Sequence, residues 1–381
     1  MKKGLLLLLL WLSYIVNYAN RLSISPALPA VSLDLGLSNT EAGLIMSLFF
    51  VSYTLMQLPA GVIADRFNPL KVLGLGCMAY SLLGGSFALA RSATQAYVSR
   101  SLFGLAQAFG WVPSVAAIYR LFPGAGMGRT VGLFTSALAL GPFVGGVLAS
   151  MILKQRSWHY AFYIPALVGV AFSPLFLYLT RDVKLEEVRE GSTADGCRMV
   201  FKEKNIWFLS GAYFSLIYVY WGALSWMPSL LYHQGFELEA AAFFGLSWTL
   251  PGLISQPLGG SIADRLGRRK PYLIAGALIS QAAVFAALAL GSRPLPLIFL
   301  LGFLVLLPFA AIFTLPVEIL SPKVAGTCAG FLNTVSHLGA ILAPIVFGLA
   351  LDLTGDFTMA LFSFIPVCIL GGVSAAMIRL E

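Results

Sequence analysis

Charge is the first thing this sequence has little of. Asp, Glu, Lys and Arg make up 10% of its 381 residues, against 59% hydrophobic residues. A soluble domain needs far more charge to cover its surface, so a soluble fold is excluded. Cysteine is equally sparse. Cys77, Cys197, Cys328 and Cys368 are scattered, with no CxxC pair and no nearby pair of histidines. They read as packing residues, and the sequence offers neither a metal site nor a cofactor site. A GxxxxGK[ST] loop is missing too, which argues against direct ATP drive by this chain. No long extramembrane domain is visible to support a receptor, and nothing supports an enzyme.

Long apolar runs separated by short polar or Pro/Gly breaks make up the remainder. Helices are expected near 5–27, 41–63, 71–90, 95–117, 129–152 and 160–180, then near 205–229, 239–262, 272–291, 295–316, 326–350 and 358–378. A bilayer core takes about 20 apolar residues per helix, so twelve spans use roughly 240 residues and leave short loops. The first run, with Lys2 and Lys3 before six leucines, has the outline of a signal peptide. Asn17 spoils the cleavage site after Ala19, and the apolar run continues past it, so it reads as the first helix. The expected architecture is an all-α integral membrane protein: a six-helix bundle over 1–180, a cytoplasmic linker over 181–204 and a second six-helix bundle over 205–381.

Lys and Arg outnumber Asp and Glu 24 to 16. In so apolar a chain this excess reflects the positive-inside rule rather than a nucleic-acid partner. With the N-terminus inside, the inner segments hold eighteen cations and the outer side four, Arg91, Lys154, Arg156 and Arg293. Both termini are therefore expected in the cytoplasm. Arg21 and Arg100 remain, and both fall within helices.

The two halves repeat. Gln57-Leu-Pro-Ala-Gly61-Val-Ile-Ala-Asp65-Arg66 ends the second run, and Gln256-Pro-Leu-Gly-Gly260-Ser-Ile-Ala-Asp264-Arg265 ends the eighth. Gly132 and Gly141 match Gly330 and Gly339 at nearly the same offset. An offset of half the chain points to duplicated bundles, with a substrate site at the repeat interface near mid-membrane.

Gly260-Ser-Ile-Ala-Asp264-Arg265-Leu-Gly267-Arg268-Arg269 resembles the G-x-x-x-D-R-x-G-R-R loop of the major facilitator superfamily. The first copy keeps Gly61, Asp65, Arg66 and Lys71 but departs at Asn68, Pro69 and Leu70. The resemblance covers essentially the whole chain and implies the major facilitator fold, a plasma-membrane location and alternating access. Glycine allows close helix approach, and an aspartate can face a helix N-terminus and a nearby arginine. In the family such a contact is read as a latch on the cytoplasmic side, which casts Gly61, Asp65, Arg66, Gly260, Asp264, Arg265, Arg268 and Arg269 as latch residues. For the basic residues, fixing topology explains them as well. Gly141-Pro142-Phe-Val-Gly145-Gly146 resembles the G-P-x-x-G-G motif of drug/proton antiporters. Helix packing or bending accounts for the same residues.

By this map all sixteen acidic residues fall in loops or at helix ends. Arg21 and Arg100 are then intramembrane cations with no obvious buried carboxylate, an expensive arrangement that invites an anion. A guanidinium suits a carboxylate because it makes two parallel hydrogen bonds. Asn17-Tyr18-Ala19-Asn20-Arg21 resembles the first-helix signature of the anion:cation symporter family, which carries sugar acids and other organic anions. In that family an aspartate usually precedes the arginine, where Asn20 stands here. Arg100-Ser-Leu-Phe-Gly104-Leu-Ala-Gln107 resembles its fourth helix, where an acid often lies at the place of Gln107. Both usual proton carriers are thus neutral amides. His337 is the remaining titratable group near mid-membrane whose pKa is naturally close to neutral, a candidate proton carrier or a packing histidine. Tyr18, Tyr218 and Trp221 supply aromatics at helical spacing, and Asn333 shares a helix face with His337.

The expected function is transport of a small organic anion, a carboxylate or sugar acid. The carrier is expected to be a monomer and either facilitative or secondary-active, in the latter case with a proton, sodium or an exchanged anion as coupling partner. The alternative is an efflux antiporter for drugs or lipophilic compounds. The substrate-binding candidates are Arg21, Tyr18, Asn20, Gln107, Tyr218, Trp221, Asn333 and His337.

Overall fold

The computed structural model describes residues 3–37, 39–122, 126–183, 185, 193–320 and 324–380. Parts of the sequence reading fall outside them. These are residues 184 and 186–192 of the 181–204 linker, the inner cations Lys2, Lys184, Arg189 and Lys323, and the acids Glu186, Glu187, Glu190 and Glu381. The side chains of Lys154, Asp195, Glu239 and Asp352 also lie outside the description.

The described residues are helical, with no strand among them. The first half holds α1 (Lys3–Leu22), α2 (Ile24–Leu35), α3 (Asn39–Arg66), α4 (Pro69–Ser86), α5 (Ala93–Leu121), α6 (Met127–Thr135), α7 (Ala137–Gln155) and α8 (His159–Thr180). A short helix, α9 (Thr193–Lys202), follows. The second half holds α10 (Lys204–His233), α11 (Leu238–Ser247), α12 (Gly252–Leu266), α13 (Lys270–Ala289), α14 (Pro294–Leu306), α15 (Phe309–Ile319), α16 (Ala325–Thr354), α17 (Phe357–Phe362) and α18 (Phe364–Ala376). Among the described residues, 11 segments are long and apolar enough to cross a membrane. One of these, Phe243–Ala289, has 47 residues. At 1.5 Å per residue it reaches about 70 Å, more than twice the bilayer core of about 30 Å. It is interrupted at Gly267, whose φ of 53° lies in the left-handed region that glycine adopts readily.

Five runs expected as single helices are broken, those near 5–27, 129–152, 239–262, 295–316 and 358–378, and a proline four residues on explains the first, third and fifth of these breaks. A proline has no N–H for the carbonyl four residues earlier. Helices α1, α11 and α17 end at Leu22, Ser247 and Phe362, each four residues before Pro26, Pro251 or Pro366. The first run also continues to Leu35, beyond its expected end at 27. The linker, expected to be merely polar, carries the helix α9. The departure of the first motif copy has a local reason as well. Asn68 accepts hydrogen bonds from the N–H groups of Leu70 and Lys71 at 3.0 and 3.4 Å, and Pro69 opens α4. That is an N-cap followed by proline at the first helical position.

Two compact units are present. The first comprises Met1–Leu121, Leu140–Thr193 and Lys323–Gly330, and the second Phe122–Ala139, Ala194–Pro322 and Phe331–Glu381. The first unit has one buried cluster around Phe87, Trp158 and Phe162 and another around Phe49, Tyr80, Phe103 and Cys77.

Close backbone approach shapes each unit. In the second, a Cβ on Gly260 would lie 2.1 Å from the Gly128 carbonyl oxygen, and one on Gly128 would lie 2.6 Å from that of Gly260. In the first, a Cβ on Gly61 would stand 2.3 Å from the Gly326 oxygen. Backbone atoms cannot swing aside as a flexible side chain can, so only glycine fits. Gly260→Val is therefore expected to lower the melting temperature of the purified protein, with overpacking costing about 1–3 kcal/mol. Gly276, with open space around it, serves as the control: Gly276→Ala should leave the melting curve unchanged or raise it slightly.

Candidate functional site

Arg21 and Arg100 are both buried, at 3% and 2% exposure. Neither side chain reaches toward water. In the first unit, α1 brings Arg21 and α5 brings Arg100 to the same ring on α3. The Cζ of Arg21 lies 4.9 Å from the Phe49 centroid, and that of Arg100 lies 5.0 Å from it. Arg21 also stands over Tyr53 at 4.9 Å, Phe50 at 5.2 Å and Tyr18 at 5.9 Å. Arg100 stands over Phe103 at 5.2 Å and Phe87 at 5.9 Å. The faces of aromatic rings carry negative charge density that attracts a cation. Tyr53 hydrogen-bonds to Arg21 and to Gln57. The Nε of Arg100 has no hydrogen-bond partner among the described residues.

The other candidates of the first unit separate. Tyr18 joins the Arg21 cluster and packs edge-on against Tyr14 at 5.2 Å. Asn20 turns to the backbone, donating to the carbonyls of Val16 and Pro165 at 3.0 and 3.2 Å. It thereby ties α1 to α8. Gln107 donates to the Asn17 carbonyl at 3.1 Å, and its own Oε1 is buried without a partner among the described residues. A Cβ on Gly141 would lie 2.7 Å from the Tyr18 Cβ, and one on Gly145 would lie 3.0 Å from the Tyr18 oxygen. The glycines of the Gly-Pro segment thus seat α7 on α1 at Tyr18.

Four candidates lie in the second unit. Asn333 accepts a hydrogen bond from the Tyr213 hydroxyl at 3.1 Å. The Nδ1 of His337 is 2.9 Å from the Asn333 backbone oxygen, one helical turn earlier. Tyr218 packs edge-on against Phe364 at 5.5 Å. Trp221 meets Tyr220 at 5.4 Å, and the Tyr220 hydroxyl donates to the Leu138 carbonyl at 3.2 Å.

The two motif aspartates sit at helix starts, where unpaired N–H groups and the helix dipole favour an anion. Asp65 accepts from the N–H groups of Gly326 and Thr327 at 2.8 and 2.6 Å and from the Thr327 hydroxyl at 2.7 Å, at the start of α16. Asp264 accepts from Gly128 and Arg129 at 2.8 and 2.9 Å, at the start of α6. The first contact lies within the first unit and the second within the second. Arg66, Arg265, Arg268 and Arg269 are exposed.

Sequence reasoning missed several participants. The cation 3.8 Å from Asp65 is Arg120, at the end of α5. Its guanidinium also donates to the carbonyls of Ala64 and Asp65 at 3.1 and 2.8 Å, capping the end of α3. Lys270, one of the eighteen cations assigned to the inner segments from the sequence, is buried and paired with Glu318. Phe49, Tyr53 and Phe103 were lost among the 28 phenylalanines and 14 tyrosines of the chain. The four-residue step from Phe49 to Tyr53, which puts both on one helix face, was the one available signal.

Comparison with known proteins bears on the family and the fold. The family model described as Major Facilitator Superfamily matches residues 10–344 and 244–380. The hexuronate transporter of Bacillus subtilis is 26% identical over 93% of this chain and 89% of its own length. A probable sulfoacetate transporter of Cupriavidus necator is 26% identical over 91% of this chain and 87% of its own. Among solved structures, the E. coli fucose:proton symporter superposes with a TM-score of 0.80 at 16% identity, over 99% of both chains. The chain belongs to the Major Facilitator Superfamily: it is a multi-pass transporter of the plasma membrane, not an enzyme, and is similar to organic-anion and sugar-acid carriers of that family.

Proposed function

We propose that this protein carries a small organic anion, a carboxylate or sugar acid, by alternating access between two six-helix bundles, with twelve spans and both termini in the cytoplasm. The observation that carries the reading is the pair of buried guanidiniums at Phe49. Each stands about 5 Å from one ring centre, so the charges are no more than about 10 Å apart. At an effective dielectric of about 20 they repel by roughly 2 kcal/mol. An anion taken up beside them turns that repulsion into two attractions. Sugar-acid and sulfonate-carboxylate cargoes named for the relatives are of this class. The Gly-Pro segment, the main sequence argument for an efflux antiporter, is accounted for by packing on Tyr18.

Three predictions test this reading. First, Arg21→Gln is expected to abolish thermal stabilisation of the purified protein by carboxylates such as hexuronates. It should raise KM for liposome uptake about tenfold or more, because a charge-assisted hydrogen bond contributes about 1.5–3 kcal/mol. Carboxylates that stabilise the variant as well as the wild type, or stabilisation only by lipophilic cations, would sink it.

Second, Gln107 holds the place where an ionisable acid would sit. Gln107→Glu should make uptake rise as pH falls through the new carboxyl's titration. The wild type should lack that component, and His337→Gln read in parallel reports any share carried by the imidazole. Third, Asp65→Asn should slow uptake more than Asp264→Asn while leaving substrate-induced stabilisation in place. Asp65 faces a helix start, a hydroxyl and Arg120, whereas Asp264 is an exposed residue facing a helix start.

A further inference from the structure

The junction of α9 with α10 carries a surface that the transport reading does not use. On α9, Val200 is buried while Arg198, Met199, Phe201 and Lys202 are exposed. Arg198 precedes Phe201 by three residues and Lys202 by four, so the three share one helix face. Glu203 and Lys204 connect α9 directly to α10, and Trp207 in the first turn of α10 is 48% exposed. The Trp207 indole donates to the Phe201 carbonyl at 2.9 Å, and both rings pack on Phe331 at 5.0 and 4.9 Å. The chain ending is fixed to the same place. Asn205 donates to the Arg379 carbonyl at 2.9 Å and accepts from its N–H at 3.0 Å. Exposed Arg379 thus adds a fourth cation to Arg198, Lys202 and Lys204. Glu203 does not cancel them, because its carboxylate caps α10 through the Asn205 N–H at 3.0 Å.

We infer that this surface is a binding site for acidic phospholipid headgroups, with Phe201 and Trp207 inserted at the edge of the acyl region and the four cations at the headgroups. Depth supports the assignment. Because α10 begins the next membrane span at Lys204, a helix tied to its first turn lies at the membrane boundary. Tryptophan is enriched at that level. A short helix with exposed aromatic and basic residues suits an interfacial position, and four to eight cations beside a membrane span read as an acidic-lipid site.

The test uses the full chain in nanodiscs of phosphatidylcholine alone or mixed in equal parts with phosphatidylglycerol, read by hydrogen exchange of the amides of 193–203. Exchange should slow in the acidic discs, and the slowing should disappear at high salt. In R198Q/K202Q/K204Q the apparent affinity for phosphatidylglycerol should fall about fivefold per charge removed. Circular dichroism of the variant checks that its helix content is kept. Equal exchange in both lipid mixtures, or slowing that survives the triple substitution or high salt, would overturn the assignment.

Discussion

Two guanidiniums share one phenyl ring inside a membrane domain, and the candidate residues of the first unit are arranged around that constraint. Arg21 and Arg100 cannot lose their charge as a lysine would, so the fold must hold two like charges where water is scarce. Ring faces supply part of the compensation, each contributing about 0.5–2 kcal/mol, and the rings within reach include those of Tyr18, Phe49, Phe50, Tyr53, Phe87 and Phe103. Rings neutralise nothing, however; they lower the cost of a positive field without removing it. The neighbouring contacts keep the supporting backbone in place. Asn20 ties α1 to α8, Gln107 ties α5 to α1, and the glycines of α7 let Tyr18 and Ala19 approach closely.

What could be read in advance followed from how local each signal is. The motif aspartates were legible because the motif fixes both the acid and the helix end that bears it. The structure then supplies the facing helix start at Gly326 or Gly128. Arg120 was not legible: it lies 55 residues from Asp65 on another helix, and no short pattern links them. Proline marked where α1, α11 and α17 end, but hydropathy runs smoothly across those breaks, so the runs read as single helices. Helix α9 escaped because a ten-residue amphipathic segment makes no apolar run. Asn20 looked like a site residue because of its neighbour Arg21, yet successive residues on a helix point about 100° apart. Its amide meets α8 instead.

The internal repeat is closest where backbone meets backbone and weakest where charge is involved. Asp65 and Asp264 make the same type of contact, each to two successive N–H groups. Yet Arg120 near the end of α5 corresponds, at the offset of 198, to Glu318 near the end of α15. An acid there would repel Asp264 in a way that Arg120 does not repel Asp65. Lys270 takes up Glu318 instead, and is buried in doing so, whereas its counterpart Lys71 is exposed. The duplicated backbone geometry has thus been kept while the charges around it were exchanged, so the two aspartate contacts are electrostatically unequal.

That neutral amides, Asn20 and Gln107, stand where the anion:cation symporters usually carry acids bears on how an anion carrier of this kind would run. Gln107 donates its amide hydrogen to Asn17, as a protonated carboxyl would, but it has no proton to release at physiological pH. On the anion reading, the charge change that accompanies loading then comes from the cargo, with the His337 imidazole the remaining protein group placed to add to it. Cargo beside Arg21 and Arg100 adds an attraction that the empty site does not have. Rearrangement of the helices that carry Arg21 and Arg100 is accordingly easier with cargo bound than without it. On the proposed anion reading, such a difference would favour exchange of one anion for another over return of the empty site.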